Sequence, residues 1–342
     1  MKNNTGFNVK IKYMMFFSLT VFTIIFCICL GSVNIPINEV FSSFINKFKG
    51  LEPVGAYQNI IIHVRTPRVL SVALVGMALS LSGTVMQGLL KNPLADGSTL
   101  GVSAGASLGA VLAIVLGIKF NSLPFAGTMV MAVIFAFLSL LLILSLAYRL
   151  DYSLSTNTII LIGIIFAMFI NSLISVLLVF SGDNVKSIIF WSMGSLQGSS
   201  YENVIVLLVT ITIFTIIILS KSSELNAFAL GEEVAGNLGI NIRRTKLVLL
   251  VSASALIGVT VAVGGTIGFV GLVIPHMTRL ITGPNHSKLL PATIFIGSSF
   301  LMIADLIART LFTPLELPIG VVTSLIGSVL FIYIFSKNRM VS

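Results

Sequence analysis

Few side chains in this chain could do chemistry, and their spacing points to recognition rather than catalysis. The three histidines, His63, His276 and His286, are scattered, and none falls in an H-E-x-x-H or other metal-ligand spacing. Cys27 and Cys29 sit two apart in one apolar run. On a helix they point to different faces, so they imply neither a disulfide nor a metal site. No G-x-x-x-x-G-K-[ST] phosphate loop, no G-x-S-x-G elbow and no Asp-rich pair of a membrane prenyltransferase is present. No residue is assigned as catalytic and none as a metal ligand. Three charged groupings remain. Arg65 and Arg68 in HVRTPRVL lie three apart on one helix face, on the outer side that the charge bias disfavours, which fits either snorkelling to lipid headgroups or docking of an acidic partner through fork geometry. Asp305 and Arg309 form an i, i+4 pair, which neutralises part of the arginine. In KSSELNAFALGEEVAGNLGINIRRTK, residues 221–246, Glu224, Glu232 and Glu233 alternate with Leu225, Phe228, Leu230, Val234 and Leu238. That pattern predicts two short helices with a tight turn, offering an apolar edge to a partner or to the protein's own ends.

The elements that position these groups are membrane spans. Of 342 residues, 56% are apolar and only 9% charged, against about 25% charged in a soluble domain. A soluble enzyme, a nucleic-acid binder and a disordered chain are all excluded, and the net charge of +9 reads as basic anchoring of inner loops. Uncharged stretches run over 13–38, 69–90, 97–118, 120–148, 152–182, 203–220, 247–278, 289–304 and 317–336. The stretch 247–278 is too long for one crossing of about 20 residues. Gly264-Gly265 and Pro275 break it, so ten spans are expected. The first run lacks a small-x-small cleavage site and is expected to remain as a span. An even count puts both termini on one side, and 13 of the 20 basic residues then fall on that side, the cytoplasm. The chain reads as a single domain, 1–342, with residues 33–58 outside and 221–246 inside.

Local signals refine this. Pro67 suits the first turn of the second span. Asn92-Pro93-Leu94 forms a tight inner turn, with the next helix starting near Asp96 to Ser98. Ser155, Thr156 and Asn157 form the next inner turn. Either turn could line an inner constriction, although ordinary turn chemistry explains both. Gly101, Gly105 and Gly109 make a small-residue stripe for close helix packing. Asp305 is the one carboxylate near the middle of a span region, which disfavours a proton- or sodium-coupled carrier acting alone. Asn171, Ser172 and Ser175 suit a bulky polar ligand.

Four segments, RTPRVLSVALVGMALSLSGTVMQGLLKNPLADGSTLGVSAGASLGA, LNAFALGEEVAGNLGI, GTIGFVGLVIPHMTRLITGPNHSKLLP and IADLIARTLFTPLELPIGVVTSLIGSVLFIYI, together resemble the FecCD-type permeases. These are membrane subunits of ABC importers for iron(III) siderophores, haem and vitamin B12. The resemblance covers nearly the whole chain from about residue 60. It implies an all-α, ten-span, type II ABC importer permease fold in a bacterial inner membrane, with both ends cytoplasmic. It also implies a second permease subunit, identical or paralogous with a heterodimer favoured, and two ATPase subunits that hold ATP and Mg. A substrate-binding lipoprotein or periplasmic protein docks above. Carried onto this chain, Leu230, Gly231, Glu232, Glu233, Ala235, Leu238 and Gly239 would be ATPase-coupling residues. Arg65, Arg68 and Arg309 would dock the binding protein. Asn92, Leu94, Ser155, Thr156 and Asn157 would form an inner gate. The expected cargo is an iron(III)-siderophore, with haem or cobalamin as the alternative. The resemblance places no cofactor on this chain and no nucleic acid among its partners.

Overall fold

The computed structural model describes residues 4–53, 55–118, 126–152 and 155–339. Lys2, Lys119 and the first residues of the 120–148 stretch lie outside them. Described secondary structure is helical apart from an isolated bridge between Phe312 and Leu315. The chain opens with α1 (Asn4–Cys29) and the amphipathic α2 (Ile37–Phe48), then α3 (Ala56–Asn59), which runs through a wider turn at Ile60–Arg65 into α4 (Thr66–Leu90). After a short turn at Gly97–Leu100 come α5 (Val102–Val115), α6 (Ala126–Leu150), α7 (Thr156–Val179), α8 (Val185–Ser192) and α9 (Tyr201–Ser220). Two short helices follow, α10 (Ser222–Leu230) and α11 (Glu232–Asn237). The chain closes with α12 (Ile242–Gly264), α13 (Val270–Thr282), α14 (His286–Thr310) and α15 (Ile319–Arg339).

Seven of these helical runs are long and apolar enough to cross a bilayer, and Val102–Val115, Val270–Thr282 and Ile319–Tyr333 are shorter apolar helices. Burial sorts them into two sets. The run Ala56–Leu90 is 78% buried over its apolar window, while α1 and α9 are 17% buried. The central helix is rich in Ser, Gly, Ala and Thr, and the outer ones carry Leu, Ile and Phe on open faces. Small residues let backbones approach where no lipid intervenes, and large apolar ones suit contact with acyl chains. The glycine stripe works in this way. A Cβ on Gly105 would fall 1.7 Å from Ser139 Oγ of α6, so α5 and α6 touch through that glycine.

Three boundaries differ from the sequence reading. Pro67 stands in the first turn of α4 as expected, but α4 is not the start of the helical run, which begins at Ala56 and passes through the widened turn into it. The widened turn ahead of Pro67 absorbs the missing donor, and Thr66 Oγ1 donates to Ile61 O at 2.7 Å. A 3₁₀ turn at Gly97–Leu100 starts where a helix is expected, near Asp96 to Ser98, but the α-helix itself begins only at Val102, since Gly101 takes a left-handed conformation between the two. Pro275 does not break its stretch; it lies inside α13. Proline deprives the carbonyl four residues earlier of its donor, and Gln87 Nε2 of α4 reaches Gly271 O at 3.4 Å and Leu272 O at 3.1 Å. The break expected at Gly264-Gly265 is present, with α12 ending at Gly264.

Candidate functional site: two ends of one bundle

Helix α14 sets the geometry. His286 and Arg309 stand at its two ends, roughly 35 Å apart at 1.5 Å per residue, close to the ~30 Å hydrocarbon thickness of a bilayer. At the His286 end, Asn226 of α10 ties the 221–246 loop to the bundle. Its Oδ1 accepts from His286 N at 2.7 Å and lies 3.1 Å from His286 Nδ1, and its Nδ2 donates to Asn285 Oδ1 at 3.2 Å. Tyr13 of α1 donates to Lys288 O at 2.9 Å, so α1 begins at this same end. Helix α15 starts beyond Arg309 and runs away from the arginine end.

The loop forms two short helices. Gly231 joins them at φ +132°, a conformation that L side chains rarely adopt. Its apolar residues divide. Leu225, Phe228 and Ala235 are buried against the protein itself, whereas Leu230 (71% exposed), Val234 and Leu238 (66%) stand in the open. Of the two alternatives left open for the apolar edge, Leu225 and Phe228 follow the packing against the protein itself, and Leu230, Val234 and Leu238 remain available to a partner. The two glutamates also divide. Glu232 Oε2 meets the buried Lys246 Nζ at 2.7 Å, while Glu233 is exposed. Gly239 is exposed and closes α11.

The arginine end is opposite in character. Arg65, Arg68 and Arg309 are buried, not outward-facing as expected for docking groups. Arg65 Nη1 donates to Ile28 O and Cys29 O at 3.1 and 2.9 Å, and Nη2 donates to Val33 O. These contacts take up carbonyls left open at the C-terminus of α1. Arg68 holds Asp305 through Nε (3.1 Å) and Nη2 (2.8 Å), and holds Glu316 through Nη1 (2.8 Å). Arg309 Nε lies 3.5 Å from Asp305 Oδ2, and its Nη2 donates to Cys27 O. The expected Asp305–Arg309 pair is thus part of a larger knot. Sequence reading missed Arg68 and Glu316 as its other members, because contacts across 237 and 248 residues leave no spacing signal.

The two turns assigned to an inner gate each close on themselves. Asn92 Oδ1 accepts from Leu94 N at 2.9 Å, and Leu94 is exposed. Ser155 caps α7, its Oγ accepting from Thr158 N at 3.4 Å, with its own N–H donated to Asp151 Oδ2 at 3.1 Å. Thr156 is half-buried and Asn157 exposed. A cavity of about 230 Å³ lies between α4, α5, α7, α12 and α13, lined in part by Ser82, Asp96, Ser103, Ser107, Asn171 and Thr266. Of these polar residues, only Asn171 was singled out as ligand-suited from the sequence. Ser103 and Ser107 recur at i, i+4, a signal that could have added them.

The described residues form an all-helical bundle of apolar spans with a partly apolar loop at one end, the build of a multi-pass membrane protein. The FecCD transport family matches residues 19–337, and the chain belongs to that family. It is 42% identical to the uncharacterized ABC transporter permease protein YvrB of Bacillus subtilis, over 96% of this chain and 94% of that one. It is 37% identical to the hemin transport system permease protein HmuU of Yersinia pestis, over 83% of this chain and 85% of that one. A solved structure described as an inward-facing conformation of a "putative metal-chelate type ABC transporter" superposes with a TM-score of 0.84 at 32% identity, covering 95% of this chain and 98% of that chain. The chain is therefore a multi-pass ABC importer permease subunit, of a kind that works in complex with partner subunits such as ATPases.

Proposed function

We propose that this permease forms half of an inner-membrane channel with ten spans and both termini cytoplasmic, and that it carries an iron(III)-siderophore inward. The ATPase pair, which holds ATP and Mg, grips the 221–246 loop. The contact falls to Leu230, Val234, Leu238 and Glu233, with Gly231, Glu232, Ala235 and Gly239 keeping the loop in shape. The observation that carries this reading is the pairing of exposed leucines with a tied-down root: large apolar side chains on a mobile tether would simply bury themselves. A second permease, with a paralogue favoured over an identical copy, completes the pathway. The substrate-binding lipoprotein or periplasmic protein docks at the arginine end. The buried knot there shapes the surface through Arg65, Arg68 and Arg309. The Asn92–Leu94 and Ser155–Asn157 turns flank the inner mouth as its gate.

The hydroxyl, amide and carboxylate groups among the cavity's lining suit a cargo with polar groups, and the likeness to a transporter described as of the metal-chelate type supports a metal chelate, which we take to be an iron chelate. Haem is the second reading, supported by the named relative HmuU. A carrier acting alone finds less support, since Asp305 is held between Arg68 and Arg309. Uptake of iron-55 siderophore complexes and of haem, compared in a deletion strain with and without this gene, tests the cargo. Loss of siderophore uptake alone is expected. Loss of haem uptake alone would overturn the iron-chelate reading.

A further inference from the structure

The face formed by α6, α9 and α12 carries a feature that no transport step uses. A groove of about 300 Å³ opens there, its lining almost wholly apolar, with Val133, Phe137 and Leu140 on α6, Phe214 on α9, and Val251 and Ala255 on α12. Val133, Phe137 and Val251 are exposed, so the groove faces outward from the bundle. Along the α6–α12 seam, toward the loop end, lies a cationic and aromatic cluster. The Arg243 guanidinium stacks over the rings of Tyr148 (4.5 Å) and Tyr152 (4.8 Å), which lie 4.8 Å from each other. Arg149 and Arg244 adjoin them in sequence and are exposed. The nearby Asp151 carboxylate accepts from Ser155 N and Thr158 Oγ1.

The two features are in register. Tyr148 lies eight residues beyond Leu140 on α6, and Arg243 lies eight before Val251 on the antiparallel α12. Both intervals are about 12 Å at 1.5 Å per residue. A charged end and an apolar slot at that spacing match a glycerophospholipid, with its phosphate at the arginines and an acyl chain in the slot. In the orientation proposed above, on which this inference rests, the tyrosines fall at the headgroup level and the arginines on the cytoplasmic side.

We propose that this seam is a binding site for an anionic glycerophospholipid of the inner leaflet. The guanidinium of Arg243 stacks on the two rings and hydrogen-bonds with the Tyr148 and Tyr152 side chains, which fix its orientation; the rest of its N–H fork is left to meet a phosphate. The lipid would wedge between α6 and α12 next to the loop that meets the ATPase.

The test uses the purified full chain, equilibrated in detergent with equal phosphatidylglycerol and phosphatidylcholine. The lipid retained after gel filtration is counted by mass spectrometry. Phosphatidylglycerol should be retained severalfold over phosphatidylcholine. The double variant Arg243→Ala, Arg244→Ala should abolish that preference, retaining the two lipids equally. Arg243→Lys, which keeps the charge and surrenders the stacked fork, should lie between. Val251→Trp, filling the slot, should lower both lipids together. Millimolar inorganic phosphate should displace nothing. Equal retention of the two lipids by the unaltered chain, an unchanged preference in the double variant, or displacement by phosphate would overturn the proposal. So would loss of ATPase co-purification in the double variant with lipid unchanged, which would make the cluster a protein contact. None of these results bears on membership of the permease family.

Discussion

The two ends of α14 present opposite arrangements. At one end Arg68, Asp305, Arg309 and Glu316 are drawn together, with the three inner groups buried and their charges paired, although Arg309 Nε makes an ion pair with Asp305 and no hydrogen bond. At the other, Leu230 and Leu238 stand exposed on a loop whose polar root is fastened through Asn226. The comparison shows that charge alone does not mark a docking surface. A cation placed against the topological bias invites a partner from outside, yet here the partner lies within the same chain. The groups that lack a partner are the apolar ones, at the end that looks hydrophilic in sequence.

The largest expected effect tests the knot. Arg68→Met leaves Asp305 and Glu316 without their shared cation, and breaking a buried pair costs about 3–5 kcal/mol. Thermal unfolding in detergent should show a large loss of stability, with ATPase capture at low temperature preserved. A variant as stable as the parent would show the knot to be dispensable and reopen these arginines as surface groups. Next comes the loop. Leu230→Asp with Leu238→Asp should weaken ATPase capture by about 30-fold or more, the scale of a lost hot spot, with unfolding hardly shifted. A large fall in stability would instead mean that these leucines pack within the protein. The smallest effect separates the two glutamates. Glu233→Arg should slow ATPase association severalfold and change its salt dependence, as an exposed rim charge does. Glu232→Arg should act through stability, because it sets an arginine against buried Lys246. Identical behaviour of the two variants would remove the distinction.

Much of the fold was legible in sequence because a bilayer demands long uncharged runs, and those runs are printed in the chain. The break at Gly264-Gly265 and the close packing at Gly105 followed from residue type. Pro275 did not, because a distant side chain, Gln87, attends to the carbonyls that proline leaves short. The 221–246 helices were readable from local alternation. Which of their apolar residues turn inward was not, since Phe228 and Leu230 are two residues apart and only tertiary packing assigns them opposite roles. The arginine knot lay beyond reach for the same reason. Its Asp305–Arg309 half is local and visible, and its Arg68 and Glu316 half is made across most of the chain.

The central claim is that the ATPase holds the exposed edge of the 221–246 loop, and proximity tests it most directly. With the native Cys27 and Cys29 replaced by serine, Leu230→Cys and Phe48→Cys place single reporters on the exposed surfaces of the two ends, Phe48 being 96% exposed. Treatment of the assembled complex with a short bis-maleimide should join the Leu230→Cys protein to the ATPase subunit and leave the Phe48→Cys protein unlinked to it. A cross-link from position 48 to the ATPase, or none from position 230 under conditions that preserve the complex, would contradict the account.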